Sequence, residues 1–255
     1  MTLIGHLYGC RAVHPRILVL VVLSLLFVAC GGGDSGSSLP QGDEAVDLNP
    51  DDFVEQIDNP YWPMAPGSKW VYRGVDADGE EERVEITVTD RKKTILGIEA
   101  TVVRDVVTTA DGELIEDTFD WFAQDKDGAL WYLGEDTTEY EDGKAVTKEG
   151  SWESGRDGAQ PGVFLPGDPE VGMVYRQEYR QGEAEDQAEI LSLDERVEVP
   201  AGSYTGVLMT KDYTPLQPDA LEHKFYAKGV GPVLLIGLSG GRFQEELIRF
   251  TDGSS

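Results

Sequence analysis

The sequence predicts an all-β fold: a single curved antiparallel sheet, half-barrel or barrel, of about 10–12 strands, following a removable leader. Three observations predict it. Apolar and polar residues alternate with period two over several runs, as in Val84, Ile86 and Val88 between Glu85, Thr87 and Thr89. Asp-Gly dipeptides, which tolerate the positive φ of tight hairpins, punctuate those runs at 78–79, 111–112, 127–128 and 142–143. After residue 60 no stretch is long and periodic enough for a major helix.

The leader is residues 1–29. Arg11, His14 and Arg16 form a cationic head, and Ile17–Ala29 follow as a mostly apolar run. A membrane-spanning helix needs roughly 20 apolar residues, so this run is too short to span and fits a cleavable signal peptide. It ends Leu26-Phe27-Val28-Ala29-Cys30, which resembles the bacterial lipobox, with Phe27 where that pattern prefers leucine. The resemblance implies cleavage after small Ala29 and acylation of the Cys30 thiol. The resemblance thus implies that Cys10 leaves with the leader and that lipid blocks Cys30, so the mature domain is expected to have no disulfide and to rest on its core.

Residues 30–50 read as the lipidated cysteine and a flexible Gly/Ser-rich tether, and 51–255 as the β-rich extracytoplasmic domain. Asp51–Ile57 predicts a short helical turn, capped by Asp51, with Phe53 and Ile57 on one face. Asn59–Gly67 holds too many prolines for a helix or interior strand and predicts an ordered, aromatic-anchored loop that plugs one end of the domain. From Ser68 the strands begin. Ile115, Phe119 and Trp121 alternate with acidic neighbours and predict one apolar and one wet face; Leu191, Leu193, Val197 and Val199 do the same. Glu149–Glu170, rich in glycine and proline, interrupts the meander and reads either as a lid or rim segment or as a crossover between two halves of the sheet.

Charge excludes one function class. The formal net charge is −27, and losing residues 1–29, with two arginines and no acids, takes it to −29. Such a surface repels phosphate backbones, which argues against nucleic-acid binding.

No catalytic, metal or cofactor assignment follows. Gly237-Leu238-Ser239-Gly240-Gly241 matches a nucleophile elbow, but no histidine follows it, and a Gly-rich hairpin turn explains it better. His223 is the only histidine after the leader, too few for a zinc site and without a named nucleophile. Asp117 with Asp120, or Glu183, Glu185 and Asp186, could be drawn as an acid–base pair, but among 48 acidic residues adjacency is expected by chance. Asp125-Lys126-Asp127-Gly128 and Asp76-Ala77-Asp78-Gly79 offer calcium ligands without the closing acid of an EF-hand loop.

The aromatics suggest binding. Trp121, Phe122, Trp131 and Tyr132 fall on two neighbouring strands joined by the Asp127-Gly128 turn, and Trp70, Tyr72, Tyr175 and Tyr179 add to the supply. One parity of these strands is a candidate lining for an apolar or amphipathic ligand; plain core packing is the competing reading.

Asn59-Pro60-Tyr61-Trp62-Pro63 with Pro66-Gly67-Ser68-Lys69-Trp70-Val71-Tyr72 resembles the opening of uncharacterised exported bacterial lipoproteins. Val199–Tyr204 and Tyr226–Val233 resemble their closing strands. The style of strand and turn is more loosely similar to lipoprotein-carrier half-barrels of the LolA and LppX type, which use helices, absent here, to close the mouth. Together these readings predict a lipid-anchored protein on the extracytoplasmic face of the membrane that binds an apolar or amphipathic ligand without catalysis. A protein-interaction or structural module of the envelope is the alternative, and an envelope hydrolase comes third.

Overall fold

A computed structural model describes residues 39–76, 79–239 and 243–253. The leader, Cys30 and the glycine run after it lie outside the described residues.

The described chain is one antiparallel sheet with no α-helix. After a 3-10 turn at Pro50–Asp52, the strands are β1 (Phe53–Val54), β2 (Lys69–Val75), β3 (Glu81–Ile95), β4 (Ile98–Thr109), β5 (Leu114–Asp125), β6 (Leu130–Glu141), β7 (Lys144–Thr147), β8 (Trp152–Glu153), β9 (Gly162–Leu165), β10 (Val174–Arg176), β11 (Gln187–Val199), β12 (Gly202–Thr214), β13 (Gln217–Ala227), β14 (Gly231–Ser239) and β15 (Gln244–Thr251). The order is β10-β11-β12-β13-β14-β15-β2-β3-β4-β5-β6-β7. Two hairpin meanders, β2–β7 and β10–β15, are thus sewn together where the last strand pairs with β2. The expected 10–12 strands become fifteen because the connections add short β1 on β5 and β8 and β9 on β6.

The hydrogen-bonded path stays open, but its ends meet. Gln160 and Tyr179 form a single bridge, the Arg176 guanidinium donates to Pro161 O at 2.7 Å, and Gln177 Nε2 donates to Phe164 O at 3.3 Å. Gly162 is required here, since a Cβ would lie 2.0 Å from Gln177 O. The segment 149–170 is therefore a crossover that seals the seam, with Trp152, Val163, Phe164 and Leu165 buried.

Asn59–Gly67 plugs the sheet as expected. Trp62 is fully buried against Trp70, Phe122 and Phe164, with ring centroids 5.3–6.1 Å apart. Asn59 Nδ2 fastens the loop to Gly128 O at 2.9 Å. Phe122, in turn, stacks on Tyr132 at 4.7 Å. Each such aromatic contact adds about 0.5–1.5 kcal/mol beyond its buried area.

Three local expectations are corrected. Residues 51–57 form no helical turn with a shared face. Asn49, not Asp51, caps the 3-10 turn, then the chain runs straight into β1; Ile57 joins the main core while Phe53 packs outside it near Trp131. On β5 the apolar parity is not the core face. Glu116, Thr118, Asp120 and Phe122 face the main core, while Phe119 and Trp121 lie on the opposite face; Ile115 sits at a bulge beside the core. That outer face is itself covered around Trp121, by the curled β3–β4 hairpin (Ile95, Ile98) and by Leu48 and Phe53, so from Asp120 to Gln124 both parities of β5 are buried. On β11, Val197 and Val199 do join the core, but bulges between Ile190 and Arg196 shift the parity, and the buried residues upstream are Ala188 and Ile190 instead of Leu191.

Candidate functional site

A cavity of about 980 Å³ lies outside the sheet. Its floor is built around the β5–β6 hairpin. Asp125 organises that turn: one carboxylate oxygen accepts from Asp127 N (3.0 Å) and Ala129 N (2.9 Å), the other from Trp131 Nε1 (2.8 Å). Trp131 is thereby fixed half-buried on the outer face, with Phe53 edge-on at 6.4 Å. Val163 from β9 and Met173 extend the apolar floor.

The other wall is the segment 39–50, expected to belong to the tether. It runs along the outer face and is held there. Arg176 Nη1 donates to Gly42 O (2.9 Å) and Glu44 O (2.8 Å), and Arg176 N donates to Pro40 O (2.8 Å). Gln160 Oε1 accepts from Val46 N at 3.3 Å. Burial lowers the pKa of Arg176, with Glu44, Tyr179 and Asp43 opposing. The result is a groove with Leu39, Val46, Leu48, Phe53, Trp131 and Met173 as apolar surface, rimmed by carboxylates.

The eight aromatics nominated from sequence do not form one site. Trp70, Tyr72, Phe122, Tyr132 and Tyr175 are fully buried. Trp70 Nε1 donates to Val230 O (2.7 Å) and the Tyr72 hydroxyl to Pro232 O (2.9 Å), so these two rings anchor the plug end. Trp121 lies on the outer face under the Lys93 ammonium, 3.1 Å from its ring centroid. Tyr179 is half-buried at the seam. Of the eight, only Trp131 lines the large groove. The rest of the groove, above all residues 39–48, Val163 and Met173, went unread, because those segments carry no periodicity; the Asp-Gly turn beside Trp131 was the one available pointer.

The sheet interior holds a second unread feature. Among the described residues nine carboxylates are buried, Asp105, Glu116, Asp120, Glu135, Glu178, Asp186, Asp212, Glu222 and Glu245, against two cations, Arg176 and Lys224. Asp105 is fully buried with neither oxygen hydrogen-bonded; burial, then the charges of Asp120, Glu116 and Glu245, push its pKa well up. Asp120 faces Glu135 across the β5–β6 pair, and its Oδ1 accepts from the Tyr132 hydroxyl at 2.6 Å. Burial and then Glu135 raise its pKa, against that hydrogen bond. Glu135 also lines a cavity of about 310 Å³ with Trp121, Trp152, Lys93, Arg156 and Arg180, in which Glu153 takes up Lys93 (2.7 Å) and Arg156 (2.7 Å).

The other candidate chemistry separates in space. Asp117 projects outward to Arg104 (2.7 Å) and Asp120 inward, so the two cannot act as a pair. Ser239 ends β14 and its hydroxyl donates to Asp219 O, in a hairpin with β15. His223 is half-buried on β13, 6.4 Å from Phe225, and burial lowers its pKa.

No protein-family model matches the chain, and no curated protein matches it in sequence. Two solved structures are similar. One is a candidate exported protein with a YmcC-like fold from Bacteroides fragilis, 15% identical, with 75% of this chain and 99% of that one covered and a TM-score of 0.42. The other is a candidate lipoprotein from Parabacteroides distasonis, 13% identical, covering 76% and 99%, with a TM-score of 0.37. The strand pairing described above, and not these likenesses, carries the architecture.

Proposed function

We propose that this chain is a lipid-anchored protein of the extracytoplasmic membrane face that binds an apolar or amphipathic ligand without transforming it. The groove of about 980 Å³ carries the reading. Its size is at the upper end of small-molecule sites, roughly 300–1,000 Å³, and it combines an apolar floor with polar groups at its edge. The nominated site thus moves from the sheet interior, which aromatic rings fill, to the outer face between Trp131 and residues 39–48. The anchor reading rests on the Leu26–Cys30 sequence.

Two measurements test the reading. Native mass spectrometry of the envelope-extracted protein is expected to find acylated Cys30 and a bound small molecule released by Ala45→Trp, which fills the exposed rim of the groove. A ligand retained undiminished by that variant places binding elsewhere and overturns the groove. In fractionation, Cys30→Ser is expected to move the protein from membrane to soluble fractions; unchanged membrane retention overturns the anchor.

A further inference from the structure

Resting on that reading, we propose that the groove's ligand is a small amphipathic cation: a quaternary or protonated amine carrying an alkyl or aryl tail. The walls and rim differ in kind. Val46, Leu48, Phe53, Trp131 and Met173 offer a surface for a tail. Around it stand Glu44, Asp47, Asp52, Asp125, Asp127 and Asp168, against a single lining cation, Lys126. Lys126 is 3.9 Å from Asp52 and about three-fifths exposed, so it offsets one carboxylate weakly. Arg176 lies beneath the wall, but its guanidinium donates to the backbone carbonyls of Gly42, Glu44 and Pro161 and is not among the lining groups. Asp125 is occupied by the turn and by the Trp131 indole N–H, whose ring it orients.

Three physical consequences follow. An anionic head, such as a fatty acid or a phospholipid phosphate, is repelled by this rim and by a chain of net charge −27. A neutral amphiphile gains only the apolar term. A cation gains the apolar term, the carboxylates, and the aromatic faces of Trp131 and Phe53, whose quadrupoles attract positive charge. Specificity is therefore a difference of binding free energies set by head-group charge, with the tail contributing equally to all three.

The test uses the full chain in zwitterionic phosphatidylcholine nanodiscs, with partition into empty nanodiscs subtracted. Tryptophan fluorescence is titrated with three probes of equal tail length: octyltrimethylammonium, octyl glucoside and octyl sulfate. Octyltrimethylammonium is expected to bind about tenfold more tightly than octyl sulfate at low salt, with the gap closing in about 0.5 M salt. Asp127→Asn with Asp168→Asn is expected to weaken the cationic probe alone, and Ala45→Trp to abolish all binding. If octyl glucoside or octyl sulfate binds as tightly as the cation, and Ala45→Trp abolishes it, the cationic preference is overturned while the groove stands. If no probe binds, or binding survives Ala45→Trp, the groove reading itself falls.

Discussion

Lys224 sits inside the sheet with Asp212 at 3.0 Å and Glu222 at 4.0 Å, all three nearly inaccessible to water. Burial opposes the charge on Lys224, but Asp212 and then Glu222 outweigh it, and its pKa is raised. Glu222 moves up too, chiefly by burial, although Lys224 opposes the shift. Asp212, at 3.0 Å, is the closer ion-pair partner of Lys224, and Glu222 the more distant one. Removing one member of such a pair strands the other in low dielectric, a loss of about 3–5 kcal/mol. Lys224→Met is expected to lower the urea midpoint accordingly, and adding Asp212→Asn to restore much of the loss, a coupling that a double-mutant cycle isolates. Additive losses would mean that the two charges do not stabilise each other.

At the scale of strands, β5 and β6 hold the lesson about what sequence carries. The hairpin was legible: Asp127-Gly128 marks the turn, and alternation marks both strands. Which face looks inward was not, because Phe119 and Trp121 are as apolar as a core face while Glu116 and Asp120 look wet. Alternation reports two unlike faces; only the pairing of distant strands decides which is enclosed. The plug loop was legible for the opposite reason, since proline chemistry fixes its backbone locally and Trp62 has nowhere else to pack. Segment 39–50 was missed because its attachment to Arg176 joins residues far apart in sequence. Gly134 is where β6 changes parity: its φ is +134° and a Cβ would lie 2.3 Å from Trp152 O. Gly134→Ala therefore combines backbone strain with a clash against β8, a cost of about 1–3 kcal/mol or more. Its expected outcome is a lower thermal midpoint and red-shifted tryptophan emission as Trp152 loosens; an unchanged midpoint would show that β8 yields without consequence.

Across the whole molecule, the buried carboxylates give stability an unusual dependence on pH. Burial first, then Glu82, with Lys224 opposing, raises the pKa of Glu245 from 4.5 to about 8. Asp105, Asp120 and Glu222 shift in the same direction, also chiefly by burial. A carboxyl with a raised folded-state pKa binds more protons when folded, so its contribution is complete below its unfolded pKa and is lost as pH rises through the folded one. For Glu245 that window runs from 4.5 to about 8 and corresponds to about 4–5 kcal/mol at most. The half-buried Glu85, whose pKa Lys69 lowers, acts oppositely, but solvent partly screens it. Repulsion across the acidic surface of a chain with 48 acidic and 21 basic residues in all adds to the alkaline loss, so the two effects need separating. Salt weakens the surface term and leaves the buried one. In high salt, the urea midpoint is therefore expected still to fall between about pH 5 and pH 9, and Glu245→Gln, which keeps the shape and removes the proton equilibrium, to flatten that fall. A profile that high salt alone makes level, or one that Glu245→Gln leaves as steep as before, would assign the effect to the surface and not to the carboxylates inside.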